Sequence, residues 1–179
     1  MALPTVSIIT VNFNDGIGLE RTIQSVIGQS YQDWELIIQD GGSNDNSLPI
    51  IHQYASHIAQ WDSGQDEGIY DAMNKGIKKA KGTWLIFMNA GDEIASPEVL
   101  EKVMQQAQKD ADFLYGHTEI HYPDSGFTRL QTASPLATFW KRLPFVHQSM
   151  LVKSALMREK MYDLSFSLCA DFAFAYPCY

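Results

Sequence analysis

Four carboxylates in this chain stand where an apolar run gives way to turn residues or to a helix, and each suits a different piece of chemistry. Asp40 directly follows Glu35-Leu36-Ile37-Ile38-Gln39 and precedes Gly41-Gly42. A carboxylate at a strand end can accept the imino N–H of a uracil or guanine ring, and the glycines allow left-handed backbone and close ligand approach. A turn in which Asp45 or Asn44 caps the next helix would explain the same residues, and both roles are compatible. Asp92 closes Trp84-Leu85-Ile86-Phe87-Met88-Asn89-Ala90-Gly91. One carboxylate there could share a Mg2+ or Mn2+ ion with a diphosphate, since these ions take oxygen ligands and keep waters and phosphates. A loop aspartate that caps a turn is the plainer alternative. Asp71 lies four residues before Lys75, which reads first as an i,i+4 ion pair on a helix with acids in its first turn. That pairing leaves unexplained the polar loop before it and the small Ala72 and Gly76 on the apolar stripe. Asp171 sits in Cys169-Ala170-Asp171-Phe172-Ala173-Phe174. A carboxylate among apolar neighbours is costly to bury, and such positions suit a general base. A helix N-cap is the alternative. His147-Gln148 lies between Phe145-Val146 and Ser149-Met150-Leu151-Val152, where residue type alone favours a core histidine satisfied by a neighbour.

Charge decides which ligands these groups can serve. The 179 residues carry 21 acidic and 13 basic side chains, a formal net charge of −8. That balance excludes nucleic acid as a partner, because its binders carry basic patches. It also means that a diphosphate ligand needs a cation, or a focused set of backbone N–H groups, between it and the protein. A divalent ion on Asp92 would meet that need. With 45% hydrophobic and 19% charged residues, the composition is globular and the length fits one domain. Two cysteines, Cys169 and Cys178, form no metal-type pair, so a reducing compartment is expected. Met1-Ala2-Leu3-Pro4-Thr5 lacks a signal-peptide pattern, and no apolar run approaches the roughly 20 residues that span a bilayer. The expected location is the cytoplasm, with peripheral attachment to the inner face of a membrane compatible with it.

The elements that must position these groups alternate. Val6–Val11 reads as a buried strand, followed by a helix with Leu19, Ile23, Val26 and Ile27 on its apolar face. Glu35–Gln39 is the second strand. Leu48, Ile51, Tyr54, Ala55 and Ile58 suggest the second helix, with Pro49 in its first turn. Ile58–Trp61 predicts a short third strand, and Ile69, Ala72, Met73, Gly76, Ile77 and Ala80 a third helix. Trp84–Met88 is the fourth strand. Ser96-Pro97-Glu98 predicts a cap with Pro97 first in a helix that carries Val99, Leu100, Val103, Met104 and Ala107. This β-α-β-α-β-α-β-α order predicts an α/β fold, a mostly parallel sheet with helices on both faces and ligands at the carboxyl ends of its strands. Asn12, Asn14, Asp40 and Asp92 would share that rim. After residue 112 the texture changes to a small mixed region. Phe113–Gly116 and Glu119–Tyr122 read as strands, Pro123–Gly126 as a turn and Phe127–Leu130 as the return of a hairpin. Residues 133–145, with Pro135 and Pro144, read as a loop. One domain covers 1–179, with a ligand-binding half at 1–112 and a second half at 113–179.

Taken together, these stretches resemble the family 2 glycosyltransferases of the GT-A fold, and within them the bacterial exopolysaccharide enzymes of the colanic-acid type. The matching residues are Val6–Asn14, Asp40-Gly41-Gly42-Ser43-Asn44-Asp45, Glu67-Gly68-Ile69-Tyr70-Asp71-Ala72-Met73-Asn74-Lys75-Gly76, Asn89-Ala90-Gly91-Asp92, His147-Gln148 and Ala170-Asp171-Phe172. The run from Gly68 to Gly76 is the most specific of them.

The resemblance implies a sugar transferase that uses a UDP- or GDP-linked donor and Mg2+ or Mn2+, in bacterial surface polysaccharide synthesis. Val11, Phe13 and Asp40 would hold the nucleobase and ribose, and Thr10 would also belong to the donor site. Asp71, Lys75 and Gly91 would line the donor pocket, and Asp92 would bind the metal as the last acid of a DXD-type motif. Gly91 stands where many members carry another acid. His147 and Gln148 would shape the acceptor side, and Asp171 would be the base that deprotonates a hydroxyl of a glycan or lipid-linked acceptor, with inversion at the anomeric carbon. Members of the family continue well past this motif, whereas eight residues follow Asp171 here and Pro177 would break a helix. A C-terminal truncation is therefore expected. Two other readings exist: a non-catalytic nucleotide-sugar-binding or assembly module, and a nucleotidyltransferase. The latter ranks last because residues 12–18 hold no Lys or Arg.

Overall fold

The computed structural model describes residues 4–107, 111–138 and 143–175. Pro177 and Cys178 lie outside the described residues. The elements run β1 (Val6–Asn12), α1 (Gly16–Ile27), β2 (Trp34–Asp40), α2 (Ser47–Gln53), β3 (Gln60–Ser63), α3 (Ile69–Lys79), β4 (Trp84–Phe87), α4 (Val99–Gln106), β5 (Phe113–Tyr115), β6 (Thr118–Tyr122), β7 (Phe127–Gln131), β8 (Met150–Lys153), α5 (Ser154–Lys160) and α6 (Ala170–Ala175). Six strands form the main sheet in the order β3-β2-β1-β4-β8-β5, and β6 and β7 pair separately as a hairpin.

β1 to β4 are mutually parallel where they pair, as the alternating pattern predicts. β1 is buried on both faces, so its run of β-branched residues serves two cores. Ile9, Val11, Ile37, Leu85 and Phe87 face Ala72, Met73 and Ile77 of α3, together with Met157 of α5 and Phe174 of α6. Ile8, Leu36, Ile38, Trp84 and Met88 face Leu19, Ile23 and Val26 of α1, Ile50 and Ile51 of α2, and Leu100 of α4. The inward small residues of α3 now have a reason. A Cβ on Gly76 would lie 2.4 Å from Ile9 Cγ2, so the missing side chain lets the helix settle onto the central strand.

β8 runs antiparallel to both β4 and β5 and sits between them. The region after residue 112 therefore completes the same sheet. This reversed strand begins at the edge where the parallel strands end, which carries His147 and Gln148 to the rim.

Three element boundaries differ from the sequence expectation. β3 starts at Gln60 and is half exposed, because it is an edge strand paired only with β2, while Ile58 is buried before it. α2 stops at Gln53, and a short 3-10 turn, Ala55–His57, replaces its expected last turn. α4 begins at Val99, two residues after Pro97. The Ser96 and Pro97 carbonyls are tied to the end of α1, accepting from Gln29 Nε2 at 3.0 Å and from the Ser30 N–H at 2.8 Å. Gln29 Oε1 in turn accepts the Leu100 N–H. Among the described residues no helix is long and apolar enough to cross a membrane.

Candidate active site at the strand-end rim

Register builds the first part of the rim. Asn12, Asp40 and Ser63 are paired neighbours at the ends of β1, β2 and β3. Asp40 Oδ1 accepts from Asn12 Nδ2 at 2.7 Å and from the Ser43 hydroxyl. Asp40 Oδ2 accepts from the Ser63 hydroxyl at 2.6 Å and from the Ser43 and Gly42 N–H groups. Burial pushes the Asp40 carboxyl up, and the donated hydrogen bonds from Ser43, Ser63 and Asn12 outweigh it and hold the group below its ordinary range. Five donors on two oxygens make Asp40 the keystone of the turn, which leaves little acceptor capacity for a ligand. Asp45 takes the role sequence allowed it, accepting from Ser47 N–H at 3.0 Å in the first turn of α2 and from Gly16 N–H at 2.8 Å in that of α1.

Beside this turn lies a cleft of about 220 Å3, lined by Asp40, Ser63, Gly64, Gln65, Asp66 and Lys75 among others. Asp66 leans over Gly41: a Cβ there would come within 2.8 Å of Asp66 Oδ2 and 3.2 Å of the Phe13 ring. Phe13 itself is 66% exposed. Among the described residues Asp66 receives one hydrogen bond, from the Gly68 N–H at 2.9 Å. Asp71 and Lys75 form the expected pair at 2.9 Å, and Asp71 also accepts the Glu67 N–H. The Lys75 contact and that N–H hold Asp71 below its ordinary range, and Asp71 raises Lys75. Val11 is nearly buried at the crevice between β1 and β4, its carbonyl accepting the Ala90 N–H. Thr10 is fully buried, and among the described residues its hydroxyl has no partner, so it offers no surface to a ligand.

The strand order reverses direction at β1 and β4, the place where open α/β sheets bind ligands. The loop after β4 holds Asp92 there. Its Oδ2 accepts the Asn89 N–H at 2.9 Å. Burial raises Asp92, with that N–H and the nearby Gln148 side chain pulling it partway back. Gly91 has φ +94°, a backbone that a side chain would strain, and its N–H donates to Thr22 Oγ1 at 3.0 Å. A second acid at this position would meet that strain, which accounts for the single carboxylate. Among the described residues no three acidic, His or Cys groups gather as a self-sufficient metal cage. Asp92 fits an ion that draws its other ligands from a diphosphate and water.

Asp171 occupies the first turn of α6 and is half-buried, rather than enclosed by the apolar residues flanking it in sequence. The Tyr70 hydroxyl donates to its Oδ1 at 3.0 Å. His147 is buried, stacked on Phe87 with ring centroids 5.3 Å apart, and its Nε2 lies 2.6 Å from the Tyr162 hydroxyl. It is thus the satisfied core histidine that residue type favours. Burial holds His147 below the ordinary imidazole value of 6.5, and the Asp171 charge recovers part of the shift. The unfolded chain takes up a proton near pH 6.5 that the native state refuses. Stability should fall below that pH, by up to about 1.4 kcal/mol per unit. Urea unfolding at pH 7.5, 6.5 and 5.5 checks this, and His147→Gln should flatten the slope; equal slopes would refute it.

Residues 7–174 match the family described as Glycosyl transferase family 2. The chain belongs to that family. It is 35% identical over 175 residues to an uncharacterized glycosyltransferase of Mycobacterium tuberculosis, covering 94% of this chain and 66% of that protein. The fold matches the crystal structure of Staphylococcus aureus TarS 1–349 with TM-score 0.75 at 18% identity, over 98% of this chain and 55% of that one. It also matches the Pyrobaculum calidifontis mannosyltransferase PcManGT, solved with GDP-Man and Mn2+, with TM-score 0.74 at 15% identity, over 99% and 52%. These neighbours bear out the GT-A sheet expected from the sequence. The chain thus spans about two thirds of the curated relative and about half of the solved structures.

Several residues of this family 2 site escaped sequence reasoning. Tyr70 and Asn74 lie inside the specific motif, yet helical spacing alone gives them no partner. Asn74 clamps the Tyr162 backbone, donating to its carbonyl at 2.8 Å and accepting its N–H at 2.9 Å. Asp66 was visible only as one of the acids that open the third helix. Arg21, ion-paired with Glu93 at 3.6 Å, stands beside Gly91.

Proposed function

We propose that this chain carries the donor site and the base of an inverting, metal-dependent glycosyltransferase. It would move a sugar from a UDP- or GDP-linked donor to a hydroxyl of a glycan or lipid-linked acceptor in bacterial surface polysaccharide synthesis. One observation carries the reading: Asp92, held by the Asn89 N–H at 2.9 Å in the loop after β4, stands where the strand order reverses, the place where open α/β sheets bind ligands.

In this reading the nucleobase enters the cleft beside α3, between the exposed Phe13 ring and the polar wall from Ser63 to Asp66. Asp66 has acceptor capacity left for an imino N–H, and Asp40 shapes the turn beneath it. Val11 and Gly91 keep the floor of the crevice low, while Asp71 holds Lys75 toward the donor. Asp92 would hold Mg2+ or Mn2+, which when bound neutralises the charge growing on the departing nucleoside diphosphate. Asp171 takes the proton of the acceptor hydroxyl as its oxygen bonds to the anomeric carbon and the bond to the diphosphate breaks. His147 and Gln148 border the acceptor side. TarS has been solved with UDP and with UDP-GlcNAc, which supports a nucleotide-sugar donor here. The bound GDP-Man and Mn2+ of PcManGT support the ion.

Thermal unfolding with UDP-N-acetylglucosamine or GDP-mannose, each with and without MnCl2, tests the donor site. A donor at 100 times its Kd should stabilise by about 2.7 kcal/mol, raising Tm by roughly 5–10 °C. If no nucleotide sugar in a broad panel raises Tm beyond MnCl2 alone, the reading fails. Binding without transfer to any acceptor would favour the nucleotide-sugar-binding module instead.

A further inference from the structure

We infer that Tyr70 is a positioning residue for Asp171, fixing the orientation of that carboxylate from the first turn of α3. The inference rests on the reading of Asp171 as the base. The two residues are 101 positions apart, and the Tyr70 hydroxyl donates to Asp171 Oδ1 at 3.0 Å.

The geometry around Tyr70 is built to hold that hydroxyl still. Its ring packs against Tyr162, centroids 5.2 Å apart. Tyr162 is in turn wedged between Phe87 at 5.6 Å and Phe174 at 5.7 Å. The Tyr162 backbone is pinned by both atoms of the Asn74 amide, one turn further along α3. Helix α3 thus holds the Tyr70 ring directly and also through its wedge. Asp171 has the opposite need. It lies in α6, a helix of six residues, and Cys169 just before it has φ +64°. Such a short element fixes a carboxylate poorly without an outside contact. A hydroxyl donated to Oδ1 leaves Oδ2 to face an incoming acceptor hydroxyl, and a general base must meet that proton at hydrogen-bond distance. Tyr162 and His147 lie near enough to feel the charge of this carboxylate, and they bond to each other. Tyr70 is therefore the side chain that ties the base to the helix bearing Asp71 and Lys75. Its position makes the spacing between donor pocket and base a property of α3.

The experiment uses Tyr70→Phe, which keeps the packed ring and removes only the hydroxyl, alongside Asp171→Asn and the double variant. Release of UDP or GDP is followed with UDP-N-acetylglucosamine and GDP-mannose in MnCl2. Tyr70→Phe should lower kcat roughly tenfold with KM for the donor within about twofold. The double variant should be no slower than Asp171→Asn alone, because the lost contact acts through Asp171. A wild-type kcat in Tyr70→Phe, or a further loss in the double variant, overturns the inference while Asp171 stands as the base. Wild-type release by Asp171→Asn instead removes the base and this inference with it. NMR of protein labelled with 13C at the tyrosine Cζ reads the contact without turnover. The signal that Tyr70→Phe deletes should move in Asp171→Asn, and an unmoved signal overturns the inference by itself.

Discussion

Asp171→Asn should lower sugar transfer by roughly 100- to 10,000-fold while donor affinity stays within about twofold, the range lost when a positioned general base is removed. The substitution is nearly isosteric, and the amide oxygen can still accept from the Tyr70 hydroxyl, so the α3–α6 contact survives. What disappears is the ability to take a proton from the acceptor oxygen. The acceptor hydroxyl would then have to attack while still protonated. In the proposed reading donor binding rests on Asp66 and Lys75 in the cleft and on Asp92, none of which this substitution alters, so calorimetric titration with UDP in MnCl2 should not change. Undiminished transfer by Asp171→Asn would leave the rim without a base.

Asp92→Asn should produce the second large effect, a weakening of nucleotide-sugar binding on the order of 100-fold in MnCl2, with little change when MnCl2 is left out. The side-chain oxygen of Asn can still accept the Asn89 N–H, so the loop after β4 keeps its shape and the loss reports the charge. Asp92 is a carboxylate whose burial already raises it, so its ionised form costs free energy in the empty rim. A cation beside it lowers that cost, which is why the effect should depend on the metal. Thermal shift and calorimetry, each with and without MnCl2, measure both halves of the expectation. Wild-type affinity of the variant in MnCl2 would separate Asp92 from the ion.

Much of this arrangement was legible before any coordinates, because it follows from rules that act locally. The β-branched run from Val6 to Val11 cannot be exposed and is too short for a helix, so it is a buried strand. Polar residues ending such a strand must lie at its rim, which placed Asn12, Asp40 and Asp92 on one edge of the sheet. The helical stripe from Ile69 to Ala80 is equally local. The expected edge strand at Ile58–Trp61 slipped by two residues because β3 is polar, and its place is decided by pairing with β2 rather than by its own side chains. Pro97 failed to open α4 because the carbonyls around it are held by the end of α1.

The order of elements and the acidic rim were written in the sequence, since strand burial and turn chemistry depend on neighbours within a few positions, whereas the roles proposed for Asp92 and Asp171 come from the resemblance. Tertiary structure alone decided which groups meet. Only the reversal of β8 between β4 and β5 brings His147 and Gln148 to the rim. Register across β1, β2 and β3 spends the oxygens of Asp40 on Asn12, Ser43 and Ser63 and leaves Asp66 the freer acceptor. Packing of α6 against α3 brings Asp171 to a tyrosine 101 residues away. Such contacts close over long stretches of chain, and a one-dimensional pattern of apolar and polar residues carries periodicity but not the pairing of distant elements.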